Sequence, residues 1–86
     1  MDEVVTMNKE IFTLNDYGTI TIDIKHIMDE KGITRNSLAR AINARFEVIN
    51  KWYNGNVEKI DADILARICF VLDCEPVDII KYTTSN

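Results

Sequence analysis

Apolar residues recur at helical spacing from residue 23 onward, between residues that favour helix starts and stops. Asp23 can cap a first helix that runs to about Lys31, where Gly32 supplies a left-handed stop. Thr34 can cap a second short helix that ends near Ile42. The pattern therefore predicts two short helices in succession, each with one buried side.

The same pattern predicts three further helices. A third helix is expected from about Phe46 to Tyr53, and the run Asn54-Gly55-Asn56 ends it. Asp61 can cap a fourth helix from Ala62 to about Leu72. Pro76 suits a first helical position and begins a short fifth helix that runs through Tyr82. The predicted fold class is therefore all-α, with five helices.

The region before residue 23 has a different pattern. Residues 1–10 are polar and aperiodic, which is typical of a terminal arm. The alternating runs Ile11–Leu14 and Thr19–Ile22 flank a four-residue turn that ends in Gly18, which predicts a β-hairpin. A plain extended arm is the alternative. The expected organisation is an arm or hairpin at 1–22, one helical domain at 23–82 and a tail at 83–86.

Charge is distributed unevenly along the 86 residues, whose formal net charge is −4. Between Lys31 and Lys59 six basic residues stand against two acids, a local charge of +4. The remainder carries four basic and twelve acidic residues, or −8. The chain is therefore expected to present a positive side suited to phosphate and an acidic side that repels it.

The residues that commonly carry chemistry form no recognisable site. Cys69 and Cys74 are spaced for neither a zinc pair nor a redox motif, and His26 has no nucleophile motif to serve. We therefore expect no metal, no cofactor and no enzymatic activity. The longest apolar run, Ile68–Leu72, is too short for a membrane span, and the acidic start lacks the basic region of a signal peptide. A cytoplasmic protein without membrane contact is expected.

The second and third helices, with the short turn between them, have the arrangement of a helix-turn-helix. The stretches Ile33–Ile42 and Ile49–Gly55 resemble the phage-repressor-like (Cro/repressor, Xre-type) helix-turn-helix DNA-binding family. The stretch Ile64–Ile80 resembles the fourth and fifth helices of that family. The resemblance covers residues 23–82 and implies a lambda-repressor-like fold. It also implies a transcriptional regulator, usually a repressor, that acts as a homodimer and inserts its third helix in the major groove of double-stranded DNA.

The resemblance also implies which residues contact DNA. Arg35 would contact phosphate, while Phe46, Glu47 and Lys51 would contact base edges. Lys51 can donate to guanine, Glu47 can accept from cytosine, and Phe46 can touch a thymine methyl group. The remaining candidates flank the third helix or serve phosphates near its end: Arg45, Val48, Asn50, Asn54, Asn56 and Lys59.

Some positions differ from the family pattern. The family commonly has Ser or Thr where Arg45 stands, and small polar residues or Gln at Phe46, Glu47 and Val48. Arg45 cannot cap the third helix as Ser would, and Glu47 directs a negative charge at DNA. Trp52 is expected to lie in the core. The alternative function is a protein-interaction module on the same scaffold, such as an antirepressor, an antitoxin-like protein or another inhibitor, with weak or no DNA binding.

Two surfaces are candidates for dimer formation. A helical wheel of the fourth helix places Phe70 opposite the buried stripe, so Phe70 is expected to be exposed. The predicted hairpin, with Phe12 and Ile20, is the rival surface.

Overall fold

The secondary structure lies within residues 17–85, the part of the chain that the computed structural model describes. The predicted strand Ile11–Leu14, and with it Phe12, lies outside these residues. The described elements, in chain order, are β1 (Thr19–Ile22), α1 (Lys25–Lys31), α2 (Arg35–Ala41), α3 (Phe46–Tyr53), α4 (Ala62–Leu72), α5 (Pro76–Ile79) and β2 (Ile80–Thr83).

The two strands correct the all-α prediction. β1 pairs antiparallel with β2, so that Thr19 lies opposite Thr83 and Ile22 lies opposite Ile80. The predicted fifth helix was too long, because α5 ends at Ile79 and the backbone of Ile80 is extended. β-Branched and aromatic residues favour strands, and pairing with β1 gives the backbone of β2 its hydrogen bonds. The fold is therefore five helices with a small two-stranded sheet.

Local hydrogen bonds explain where the helices begin. Thr34 Oγ1 accepts from the backbone N–H of Ser37 at 3.1 Å. Asp61 Oδ1 accepts from the N–H groups of the two residues at the start of α4, at 2.9 and 3.2 Å. Asp23 Oδ1 accepts from the N–H of His26 at 3.3 Å, although α1 itself begins at Lys25. The predicted N-caps Thr34 and Asp61 are confirmed, whereas the N-cap of α1 is Ile24, and Asp23 contacts the first turn from one residue earlier.

Left-handed residues explain where the helices end. Gly32 has a φ of 70° after α1, as predicted, and Asn43 has a φ of 57° in the turn after α2. Asp73 ends α4 in the same conformation, with a φ of 53°. Asn and Asp tolerate this backbone better than other residues with a side chain. The turn at Asn43 sets the direction in which the chain enters α3.

The core is built from one side of each helix and from the end of β1. Ala39 is buried between neighbouring helices, and its small side chain permits close contact. Trp52 is buried as predicted, whereas Leu65 is only half-buried. The other buried apolar residues are Ile22, Ile24, Ile27, Met28, Leu38, Ile42, Ile49, Ile68, Leu72 and Ile79.

Gly18 allows β1 to approach β2 closely. A side chain at this position would collide with the backbone carbonyl of Thr83. The Gly18 N–H donates to the Tyr82 hydroxyl at 2.8 Å, which ties the start of β1 to β2. Within residues 17–85, the longest helix has 11 residues, and none is long and apolar enough to cross a membrane.

Candidate nucleic-acid interface

α3 has one buried and one exposed side. Ile49 and Trp52 face the core and are almost fully buried. Val48 is half-buried against that core. On the outward side, Asn50 is half-buried, and the exposed residues are Phe46, Glu47, Lys51 and Asn54.

The turn between α2 and α3 brings the start of α2 beside the outward side of α3. Ala44 N–H donates to the Ala39 carbonyl at 2.9 Å and closes this turn. The Arg67 guanidinium donates to the carbonyl of Ile42 at 2.8 Å, which attaches α4 to the end of α2. Arg67 also forms an ion pair with Asp63 at 2.8 Å. Hydrogen bonds therefore fix the turn between α2 and α3 and hold α4 against the end of α2.

Arg35, the first residue of α2, lies across the surface of α3. Its Nη1 donates to Asn50 Oδ1 at 2.8 Å. Its guanidinium carbon is 4.7 Å from the ring centre of Tyr53 and 5.8 Å from that of Phe46. Cations are attracted to the faces of aromatic rings at such distances. The structure thus brings three predicted site residues together, namely Arg35, Phe46 and Asn50.

Tyr53 is a member of this cluster that the sequence did not identify. Its hydroxyl donates to Asp29 Oδ1 at 2.9 Å, and Lys25 Nζ lies 2.9 Å from the other carboxylate oxygen of Asp29. Tyr53 therefore joins α1 to the end of α3 through its hydroxyl and holds Arg35 through its ring. The available signal was spacing, because Tyr53 follows Phe46 by seven residues and so lies on the same side of the helix.

The pKa values of this cluster follow from its hydrogen bonds. The hydrogen bond from Lys25, followed by that from Tyr53, holds the pKa of Asp29 below its usual value. The hydrogen bond to Asp29 raises the pKa of Lys25 and is also the largest cause of the raised pKa of Tyr53. Lys25 and Asp29 are exposed and Tyr53 is half-buried, and each group stays in its ordinary ionisation state near neutral pH.

The N-terminus of α3 confirms the expected departure from the family pattern. Arg45 occupies the N-cap position, but its side chain makes no capping hydrogen bond. Glu47 lies in the first turn, where a negative charge interacts favourably with the helix dipole. Glu47 therefore has a structural reason for its position, independent of any contact with a base.

The end of α3 uses its backbone donors internally. Asn54 N–H donates to the Asn50 carbonyl at 3.0 Å, and Asn56 N–H donates to the Lys51 carbonyl at 2.9 Å. Neither backbone N–H is therefore free to donate to a phosphate, and any contact of these two residues with phosphate falls to their side chains. Their exposed side chains remain accessible, as does the exposed side chain of Lys59.

The two candidate dimer surfaces differ in exposure. Phe70 is 86% exposed, more than any other large apolar residue within 17–85, which confirms its predicted outward orientation. It borders a shallow depression whose lining includes Ala41 and Ala66. Ile20 is 52% exposed and lies opposite Tyr82 in the sheet.

The arrangement of α2, the turn and α3, with basic side chains beside an exposed helix face, defines a helix-turn-helix DNA-binding domain. Residues 23–85 match the family model of the Cro/C1-type HTH DNA-binding domain, and the chain belongs to this family. The resemblance stated from the sequence is thereby confirmed. Proteins of this family are typically not enzymes.

One solved structure supports the fold independently. The crystal structure of the transcriptional regulator VanUg, form II, superposes with a TM-score of 0.60 at 18% sequence identity. The similarity covers 86% of this chain and 99% of that chain. Among curated proteins, no sequence matches this chain at a significant level. At this identity the similarity to VanUg shows a shared fold.

Proposed function

We propose that the protein is a sequence-specific regulator of transcription that inserts α3 into the major groove of double-stranded DNA. Repression by occlusion of the promoter is the proposed outcome. The observation that carries the proposal is the outward side of α3, which is exposed and bordered by the basic side chains of Arg35, Arg45 and Lys51. The membership in a DNA-binding family and the fold shared with a transcriptional regulator support it.

The proposed contacts divide into phosphate and base contacts. Arg45 and Lys59 neutralise phosphates at the two ends of α3, and the side chains of Asn54 and Asn56 donate to phosphate oxygens. Lys51, Glu47 and Phe46 contact base edges in the groove. Val48 contributes mainly to packing, because it is half-buried against the core.

The test is a binding assay on pooled random DNA duplexes at low and raised salt concentrations. Lys51→Met removes a charge from the proposed interface, whereas Lys81→Met removes the same charge from β2. We expect the wild type and Lys81→Met to bind with affinities that fall steeply as salt rises. Lys51→Met is expected to bind at least about fivefold more weakly. Absence of any bound duplex for the wild type at low salt, or equal losses in both variants, would contradict the proposal.

We also propose that the protein binds DNA as a homodimer that associates through Phe70. The Phe70 ring projects into solvent beside the depression near Ala41 and Ala66, where small side chains leave room for a second ring. Tyr82, on the rival surface, is already engaged by Gly18 through its hydroxyl. A two-fold dimer would place its α3 helices in half-sites about one helical turn, roughly 34 Å, apart.

Sedimentation equilibrium separates the two dimer surfaces. Phe70→Asp is expected to shift the protein toward monomer, whereas Ile20→Asp leaves the association constant unchanged. The reverse pattern would assign the dimer to the sheet surface. A wild-type protein that is monomeric at all concentrations, with or without DNA, would rule out the dimer.

A protein partner is the second candidate function, and Glu47 is the observation that favours it. Its carboxylate repels the phosphate backbone, and the neighbouring Phe46 is 41% exposed. If α3 binds a protein, Glu47→Gln should create or strengthen DNA binding without improving binding to the partner. If α3 reads cytosine through Glu47, the same variant should weaken binding at selected duplexes.

A further inference from the structure

The side-chain amide of Asn50 has a fixed orientation in this structure. A guanidinium group carries only hydrogen-bond donors, so the atom of Asn50 that contacts Arg35 must be its oxygen. Arg35 Nη1 is 2.8 Å from Asn50 Oδ1. The amide nitrogen Nδ2 lies on the opposite branch of the planar group. Arg35 therefore engages one of the two lone pairs of the Asn50 oxygen and places a positive charge beside the other. The NH₂ donor is the part of Asn50 that is best placed to bind another molecule.

Arg35 is itself held in place from two further directions. The rings of Tyr53 and Phe46 lie 4.7 and 5.8 Å from its guanidinium carbon. Tyr53 is anchored by its hydrogen bond to Asp29. The bond to Asn50 is therefore present in the free protein and does not depend on DNA to form. A preorganised side chain loses little freedom when it binds a base.

We propose that Asn50 acts as a specificity residue that reads the major groove through its NH₂ donor. It selects a base edge that offers acceptors, namely guanine O6 and N7 or thymine O4, and it discriminates against adenine. An Asn that recognises adenine must accept a hydrogen bond from the N6 amino group while it donates to N7. Arg35 already donates to that oxygen, and its positive charge disfavours a second donor there, so the adenine amino group finds a weakened acceptor. The inference rests on the proposed insertion of α3 into the major groove.

The test is enrichment of random duplexes by the wild type and three variants. Asn50→Ala identifies the base position that Asn50 reads, because the preference at that position disappears. Arg35→Met frees the Asn50 oxygen, so the preference there is expected to move from guanine or thymine to adenine, by roughly five- to a hundredfold. Arg40→Met is the matched control, since it makes the same replacement on the same helix away from Asn50. It should leave the preference unchanged.

Three results would overturn the inference while the proposed function stands. These are a wild-type preference for adenine at the Asn50 position, an Arg35→Met variant that keeps the wild-type preference, and an Asn50→Ala variant that changes no position. If the wild type enriches no duplex at all, the proposed function fails first. The enrichment thus distinguishes the two failures.

A measurement without DNA tests the orientation itself. In an NMR spectrum of the free protein, Arg35→Met should shift the side-chain amide signals of Asn50, whereas Arg40→Met should not. The backbone signals of the same spectra report whether each variant is folded. Unchanged Asn50 amide signals in a folded Arg35→Met variant would show that the hydrogen bond is absent in solution, which overturns the inference.

Discussion

At the scale of single residues, the Tyr53 hydroxyl is the contact that connects the proposed reading surface to α1. The hydrogen bond from Lys25, followed by the one from Tyr53, lowers the pKa of Asp29, and the bond to Asp29 raises the pKa of Tyr53. Asp29 releases its proton more readily in the folded state than in the unfolded state. Its hydrogen bonds therefore stabilise the fold at pH values above 3.8, the ordinary pKa of the carboxyl group. This contribution is lost as the pH falls through the lower pKa of the folded state.

Tyr53→Phe removes the hydroxyl and keeps the ring against Arg35. We expect the pKa of Asp29 to rise in this variant, because one of the two hydrogen bonds that stabilise its charged form is gone. An NMR titration of the Asp29 carboxyl measures the change. Tyr17→Phe, a replacement at another exposed tyrosine, should leave the Asp29 value unchanged. An equal Asp29 pKa in the wild type and Tyr53→Phe would show that the hydroxyl contact does not form.

Cys74 provides a second test at this scale. Burial, followed by the neighbouring Cys69, raises the pKa of Cys74 from 9.0 to about 11. Only the thiolate reacts with iodoacetamide, so at pH 8 the folded protein should be alkylated at Cys74 about a hundredfold more slowly than urea-unfolded protein. Peptide mapping by mass spectrometry separates Cys74 from Cys69. Equal rates in the folded and unfolded states would contradict the proposed environment of this thiol.

The sequence predicted those residue roles that depend on near neighbours. The caps at Thr34 and Asp61 and the exposed Phe70 follow from patterns within one helix or its first turn. The contact of Arg35 with Asn50 joins residues fifteen positions apart on two helices. The sequence did not predict this contact, because helical spacing says nothing about a side chain that bends across a neighbouring helix. Spacing could have placed Tyr53 on the same side of α3 as Phe46, but it could not have predicted the contacts of Tyr53 with Asp29 on α1 and Arg35 on α2.

At the scale of elements, α3 lacks the cap that its neighbours have. Arg45 stands at its N-cap without a side-chain hydrogen bond, whereas Thr34 and Asp61 cap α2 and α4. A serine there could accept from the N–H groups of Glu47 or Val48. Arg45 therefore leaves α3 less stable than a serine would, but it places a positive charge where the proposed contact with DNA lies.

Arg45→Ser is expected to increase the free energy of unfolding by about 0.5–2 kcal/mol, the usual contribution of a capping side chain. Urea denaturation measures it, and Arg40→Ser serves as the control for loss of an arginine. DNA affinity should fall in Arg45→Ser, because a phosphate contact is removed. A variant that is no more stable than the wild type would show that serine does not cap α3.

The elements themselves divide into those that the sequence predicted and those that it did not. The bounds of α3 and α4 agree with the prediction, because caps and stops lie next to the helices they define. Three of the four residues of β2, Ile80 to Tyr82, were assigned to a helix, since they follow a helix start at Pro76 and carry no stop signal. The partner of β2 is β1, which lies some sixty residues earlier in the chain. Pairing between such distant segments leaves no pattern in the sequence near β2 that would predict a strand.

At the scale of the whole molecule, the uneven charge predicts how DNA binding responds to salt. The segment from Lys31 to Lys59 carries +4, although the chain as a whole carries −4. Phosphate contacts release counterions, so the logarithm of the affinity should fall linearly with the logarithm of the salt concentration. The acidic residues outside this segment should repel DNA, so we expect them to disfavour other orientations of the protein on DNA and to add nothing to this slope.

Lys59→Met is expected to reduce the magnitude of that slope by about 0.9 per protomer, the value for one phosphate contact. Lys81→Met, which removes a charge outside the basic segment, should leave the slope unchanged. Fluorescence anisotropy over a series of salt concentrations gives both values. Equal slopes for the wild type and Lys59→Met would exclude Lys59 from the interface.

The antiparallel pairing of β1 with β2 has a consequence for how this domain can be engineered. Because Thr19 lies beside Thr83, the polypeptide enters and leaves the described body at one place. A short Gly-Ser connection could join the two sides, and the backbone could then be opened at an exposed turn elsewhere to give a circularly permuted version. Reporter proteins fused before residue 17 and after residue 85 would emerge side by side, close enough for a split reporter to reassemble.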